Sequence, residues 1–192
     1  LKKELGIQAD DFIVSYLGSI GGWYLTDEMM QFCKILSDKI PATKLLFISP
    51  HRHEDIKAAA AKHGIAANRI IIQKASRQQV PLLLSLSDYS VFFIKPCYSK
   101  QSSSPTKHGE IMAMGIPLIT NNGVGDVETI VHRFHSGIVI NEINEAAFIR
   151  TSLTIAAGEH YDREGIRLGA GAWYSLDDAI KKYIRIYNRI LQ

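Results

Sequence analysis

The chain has 192 residues, of which 46% are apolar and 21% charged, with a net charge of +3. That is enough for one sizeable domain with a buried core, and the balance is ordinary for a globular protein. The small charge excess lies in short pairs such as Lys2-Lys3 and Lys181-Lys182, which excludes nucleic acid as the main partner; a weak preference for a membrane surface stays open, although no apolar run reaches transmembrane length.

Taken in chain order, the pattern alternates strand and helix. Phe12 to Leu17 (FIVSYL) is a strand ending in glycine, and Thr26 to Lys39 follows with helically spaced Met29, Met30, Phe32, Cys33, Ile35 and Leu36. Lys44 to Ser49 is a second strand, Asp55 to Lys62 an alanine-rich helix closed by Gly64, and Arg69 to Gln73 a third strand. A leucine-rich helix spans Gln78 to Ser87, and a fourth strand Ser90 to Lys95. Pro105 to Met114 is a helix ended by Gly115, Pro117 to Thr120 a fifth strand, Val124 to Phe134 a helix and Gly137 to Ile140 a sixth strand. Strands then stop, and Glu145 to Ala157, Asp162 to Gly169 and Leu176 to Ile190 read as helices. Near-continuous apolar strands alternating with helices predict an α/β fold, a doubly wound parallel sheet of about six strands covered on both faces. With no long linker and no internal repeat, residues 1–192 read as a single domain.

Two cysteines, Cys33 and Cys97, fit neither a metal motif nor a CxxC pair. Cys33 is expected to be a small buried hydrophobe, and the setting reducing and cytoplasmic. The opening LKKELGIQADD is neither a signal peptide nor a start methionine. The expectation is therefore an excised domain with further chain before residue 1.

In open α/β sheets ligands bind beyond the carboxyl ends of the strands, where helix N-termini offer free N–H groups. Four loops qualify. The first runs from Gly18 and Ser19 through Ile20, Gly21 and Gly22 to Trp23-Tyr24, and its glycines allow a close backbone approach to phosphate or sugar. It is neither GxGxxG nor a P-loop, and a plain strand-to-helix turn fits it equally. The second, Lys100 to Pro117, carries the strongest signal. Ser104 is expected as N-cap and Pro105 as first helical residue, which leaves the Thr106 and Lys107 N–H groups facing an anion. Lys107 and Glu110 share a helix face, the lysine suited to phosphate and the carboxylate to hydroxyls. An exposed Lys–Glu pair alone is worth little; the surrounding loop and the following AMGIP give it weight. The third, Thr120 to Asp126, either lines a sugar pocket or supplies Asp126 as a helix cap. The fourth, Lys74 to Arg77, suits a base held through backbone groups, with Ser76 capping the next helix.

Other clusters carry less. His51 to Glu54 (HRHE) has metal-ligand composition, but adjacent loop residues rarely converge on one ion. Ser102 to Ser104 lack a GxSxG elbow. Trp173-Tyr174 reads as packing rather than a base platform.

The stretch SSPTKHGEIMAMGIPLITNNGVGD resembles the donor-binding segment of family 4-type GT-B glycosyltransferases. IVSYLGSIGGWY, the opening LKKELGI and the closing YSLDDAIKKYIRIYNRIL extend the likeness over nearly the whole chain. The resemblance implies a Rossmann-like C-terminal half of a GT-B enzyme, with an acceptor domain on its N-terminal side. It implies retaining transfer from a nucleotide-diphosphate sugar to a glycan or lipid-linked acceptor, with no cofactor, no obligatory metal, and peripheral membrane association of the full-length enzyme as an open option. Glu110 matches the second glutamate of the family's E-x7-E signature, expected on the donor ribose, whereas Ser102 stands where the first belongs. The arginine and lysine common after the first strand are absent from residues 19–24, and Lys107 is expected to supply that charge. The site set is thus Lys107 and Glu110 as catalytic residues, with Gly18, Ser19, Gly21, Gly22, Lys74, Ser76, Ser103, Ser104 and Thr106 completing donor binding. Two alternatives stand beside it: a nucleotide-sugar 2-epimerase half, and a degenerate non-catalytic nucleotide binder. A receiver domain is excluded, because the positions that should be acidic read Gly18-Ser19 and Lys74-Ala75.

Overall fold

The computed structural model describes residues 1–191. Six parallel strands, β1 (Phe12–Leu17), β2 (Thr43–Ile48), β3 (Ile70–Gln73), β4 (Tyr89–Val91), β5 (Leu118–Asn121) and β6 (Gly137–Ile140), form one sheet in the order β3-β2-β1-β4-β5-β6. The helices are α1 (Thr26–Lys39), α2 (His53–Lys62), α3 (Val80–Leu84), α4 (Thr106–Ala113), α5 (Val127–Phe134), α6 (Glu145–Ala156), α7 (Arg163–Tyr174) and α8 (Leu176–Ile190). The chain winds outward from β1 in one direction and from β4 in the other. Right-handed crossovers therefore put α1 and α2 on one face and α4 and α5 on the opposite one. Between β1 and β4 lies the switch point, where this topology opens a crevice at the carboxyl edge.

The core follows from the sequence pattern. Ile13, Val14, Tyr16, Leu45, Leu46 and Phe47 are buried on adjacent central strands. Phe148 of α6 packs edge-on to Phe32 of α1 and flat against Phe93, fixing α6 on the α1 face. Truncating that ring to alanine would cost about 3–5 kcal/mol. On the other face Met112, Ile130, Ile166 and Ala170 form a smaller cluster joining α4, α5 and α7. Helix α8 has no buried residue.

Most expected elements are present, with three differences. The fourth strand ends at Val91 instead of Lys95. Beyond it the buried Asn121 side chain replaces the ladder, its Oδ1 accepting from Ile94 N at 2.8 Å and its Nδ2 donating to Ile94 O at 2.9 Å. The same segment turns to the loop after β1: Leu25 N donates to Phe93 O at 3.0 Å and Lys95 N to Trp23 O at 2.8 Å, around an antiparallel Tyr24–Ile94 bridge. The third helix is cut to Val80–Leu84, with Pro81 in its first turn. Helix α7 runs on to Tyr174, because Trp173 and Tyr174 have ring partners in Phe134 and His108 that reward the extra turn.

Candidate functional site

Beneath the glycine loop sits a lysine. Lys107, on the first turn of α4, is 7% exposed. Its Nζ stands 3.8 Å from the Tyr24 ring centre, 4.5 Å from that of Tyr16 and 5.7 Å from that of Phe92. Among the described residues its only hydrogen bond is a long one, 3.4 Å, to the Tyr16 hydroxyl, which in turn donates to Ser19 O at 2.6 Å. No carboxylate among the described residues pairs with it; burial pushes its pKa down to about 7, with Glu110 pulling the other way. Aromatic faces attract a cation but do not replace its hydration. The group is therefore short of an anion.

The glycine loop is shaped around two cations. A Cβ on Gly18, which has φ +110°, would stand 3.0 Å from Lys107 Nζ. One on Gly21, at φ +79°, would strike the guanidinium of Arg52. Thr26 Oγ1 accepts from Gly21 N at 3.1 Å and steadies the turn. Arg52 arrives from the loop after β2, donating from Nη1 to Ile20 O at 3.2 Å and from Nε to Asp55 at 2.6 Å. Its backbone is left-handed, φ +60°, which is strained for a residue with a long side chain. The sequence reading, which weighed the HRHE stretch only as a metal cluster and set it aside, missed it. No local signal joins positions 21 and 52; only the β1–β2 pairing brings them together.

The remaining expected residues divide. Glu110, Thr106 and Arg77 line one cavity of about 620 Å³ with Gly109, Tyr174 and Leu176. Arg77 and Glu110 approach only to 3.9 Å, with Arg77 almost fully exposed. Lys74 is exposed. Three capping expectations are corrected. Pro105, not Ser104, is the N-cap of α4, and no side chain caps that helix; Ser104 Oγ instead donates to Asp126 Oδ2 at 3.2 Å. Ser76 does not cap α3, which starts after Gln79; the Ser76 N–H is itself bound by Gln79 Oε1 at 2.9 Å. Asp126 occupies the N-cap position of α5 without a side-chain cap bond, its carboxylate drawn off by Ser104 and by Trp173 Nε1 at 3.3 Å. Ser103 packs its backbone on Gly125, where a Cβ would overlap the Ser103 carbonyl. Ser102 is exposed. The uncapped start of α4 leaves the Thr106 and Lys107 N–H groups available to an anion, while His108 N donates to Pro105 O at 2.9 Å.

Among the described residues no group of three or more His, Cys, Asp and Glu converges as a metal set, and no helix is long and apolar enough to cross a membrane. Cys33 is buried and its thiol pushed up to about 12.

Comparison with known proteins follows this geometry. No curated protein sequence matches the chain. Among solved structures, a glycosyltransferase from Rickettsia africae ESF-5 is 17% identical, covering 100% of this chain and 51% of its own, with a TM-score of 0.73. The pneumococcal O-GlcNAc transferase GtfA, solved with UDP and GlcNAc, is 13% identical over 94% of this chain and 36% of its own, TM-score 0.74. WaaG, a glycosyltransferase involved in lipopolysaccharide biosynthesis, is 18% identical over 88% and 43%, TM-score 0.66. The chain thus spans 36% to 51% of the length of these proteins, and its six-stranded parallel sheet with C-terminal helices is consistent with one half of a GT-B fold. The family model described as glycosyl transferases group 1 matches residues 1–164, most of the chain and every strand of the sheet, and the chain belongs to that family.

Proposed function

We propose that this chain is the donor-binding, C-terminal half of a glycosyltransferase that takes sugar from a nucleotide-diphosphate donor with retention. The observation that carries the reading is the convergence of Lys107 and Arg52, from two different elements, on Gly18 and Gly21 at the switch point. A diphosphate seated there meets the Lys107 ammonium, the Arg52 guanidinium and the uncapped start of α4. Charge developing on the leaving diphosphate is stabilised by groups already in place. The arginine and lysine missing after β1 are thus replaced from β2 and α4. Glu110 takes the ribose hydroxyls in the cavity it shares with Thr106 and Arg77, and the Lys74 to Arg77 loop holds the base. Ser102 leaves the sugar without the usual carboxylate. Any general base and the larger part of the acceptor site come from an N-terminal domain, and the exposed apolar side of α8 is one surface available to it.

Calorimetric titration with UDP, GDP, uridine and pyrophosphate tests this. Nucleoside diphosphate is expected to bind and uridine not. Lys107→Met removes diphosphate binding, Arg52→Gly weakens it about tenfold while relieving the left-handed backbone, and Glu110→Ala weakens UDP but not pyrophosphate. Equal binding of uridine and UDP, or an unaffected Lys107→Met protein, would reject the reading.

A further inference from the structure

The loops that follow β1 to β4, residues 18–25, 49–52, 74–79 and 92–105, hold neither Asp nor Glu, and Asp126 is the one carboxylate of the loop after β5; together these loops include Arg52, Lys74, Arg77, Lys95 and Lys100. The diphosphate accounts for Arg52 and Lys107, and Arg77 faces Glu110. Lys74, Lys95 and Lys100 have no acidic partner among the described residues. Three cations therefore remain beyond the diphosphate, and with Lys74 in the loop given to the base, Lys95 and Lys100 are in excess of what a donor needs.

Two of them stand beside exposed aromatic rings. Trp23 is 52% exposed and Tyr98 89%. Lys100 Nζ lies 4.8 Å from the Trp23 ring centre, and Lys95 is tied to Trp23 through its backbone. Large rings left in water on the rim of a crevice mark a contact surface. The apolar face of a pyranose ring stacks on such a side chain, and acidic groups on the same saccharide reach the flanking ammonium groups. We infer that the rim formed by Trp23, Lys95, Tyr98 and Lys100 receives an acidic oligosaccharide, the acceptor end of the reaction, carrying carboxylate, phosphate or sulfate groups. The inference rests on the donor reading for the word acceptor, but the surface itself does not. Nucleic acid also combines stacking with phosphate; a net charge of only +3 favours the saccharide.

The test titrates the whole chain with tetragalacturonate, with neutral maltotetraose and with an eight-nucleotide oligothymidylate, with UDP measured in the same samples. Tetragalacturonate is expected to bind at least about tenfold more tightly than maltotetraose. The Lys95→Gln/Lys100→Gln protein and the Tyr98→Ala protein are each expected to lose about tenfold of that affinity with UDP binding unchanged. Tyr98 is almost wholly in water, so its truncation leaves the fold intact. Equal binding of the neutral saccharide, indifference to these substitutions, or tighter binding of the oligonucleotide would overturn the inference. Loss of UDP binding alone would instead overturn the donor reading and leave the acidic rim standing.

Discussion

Single residues of this protein sit at protonation states set by where the fold puts them. Lys107 faces the phenols of Tyr16 and Tyr24, the Phe92 ring and, one turn along α4, Glu110; burial holds its folded pKa near 7, below its ordinary 10.5. The unfolded chain therefore binds the extra proton between about pH 7 and 10.5, and stability rises with pH across that window. A diphosphate reverses the preference. Binding of UDP at pH 8 is expected to draw in close to one proton, seen as a dependence of calorimetric enthalpy on buffer ionisation, and Lys107→Met should abolish it while stabilising the apo fold by about 1–3 kcal/mol. His108 has a consequence of the same sign at lower pH. It is 0% exposed, neither ring nitrogen has a partner, and burial pushes its pKa down to about 4 against the pull of Asp126. The unfolded state binds the proton first, so stability falls on acidification from pH 6.5 towards 4. Urea unfolding should show the wild type losing about 2 kcal/mol between pH 7 and 5, with His108→Phe, which keeps the contacts to Phe92 and Tyr174, largely free of that loss.

At the scale of elements, the carboxyl edge is held by one side chain. Asn121 occupies the end of β5 and satisfies both backbone groups of Ile94. Asn121→Leu strands those groups in a buried place, and each unmet partner costs about 1–3 kcal/mol. The expected outcome is a loss of several kcal/mol by chemical denaturation, with faster amide exchange at Ile94 than in β1. This is also where sequence reading reached its limit. β1, α1 and β6 were legible to the residue, because period and burial agree along them. The end of β4 was not, since FFIK has strand composition and only the partner across the gap decides that a side chain replaces a strand. The caps of α3 and α4 failed for related reasons: Ser76 and Ser104 are good caps by chemistry, but α3 begins only after Gln79, and the Ser104 hydroxyl is taken by the distant Asp126. Lys107 stood out in the sequence from its motif, whereas its aromatic cage of Tyr16, Tyr24 and Phe92 is assembled from β1, the loop after it and the segment after β4.

Over the whole molecule, charge is sorted along the strand direction. The carboxyl edge is basic, while a cavity of about 570 Å³ at the amino edge is lined by Asp88, Glu159, Asp162 and Glu164 with Arg163 and His160 among them. The field points an anion towards the crevice, so stopped-flow association of UDP should slow severalfold between about 50 mM and 500 mM salt. The boundary between β1 and β4 has a consequence in time as well as in space. β3, β2 and β1 close among residues 12–73, and β4, β5 and β6 among residues 89–140. The joining contacts, Val14 to Tyr89 and Ser15 to Ser90, are separated by 75 residues of chain. Each half has near neighbours in sequence to build on, and the union of the two demands the longest loop closure in the sheet. Lys107 can enter its cage of Tyr16 and Tyr24 only after that union. A ribosome-bound chain stopped before α4 would hold the glycine loop and Arg52 but not Lys107, and full diphosphate affinity would mark the last stage of folding.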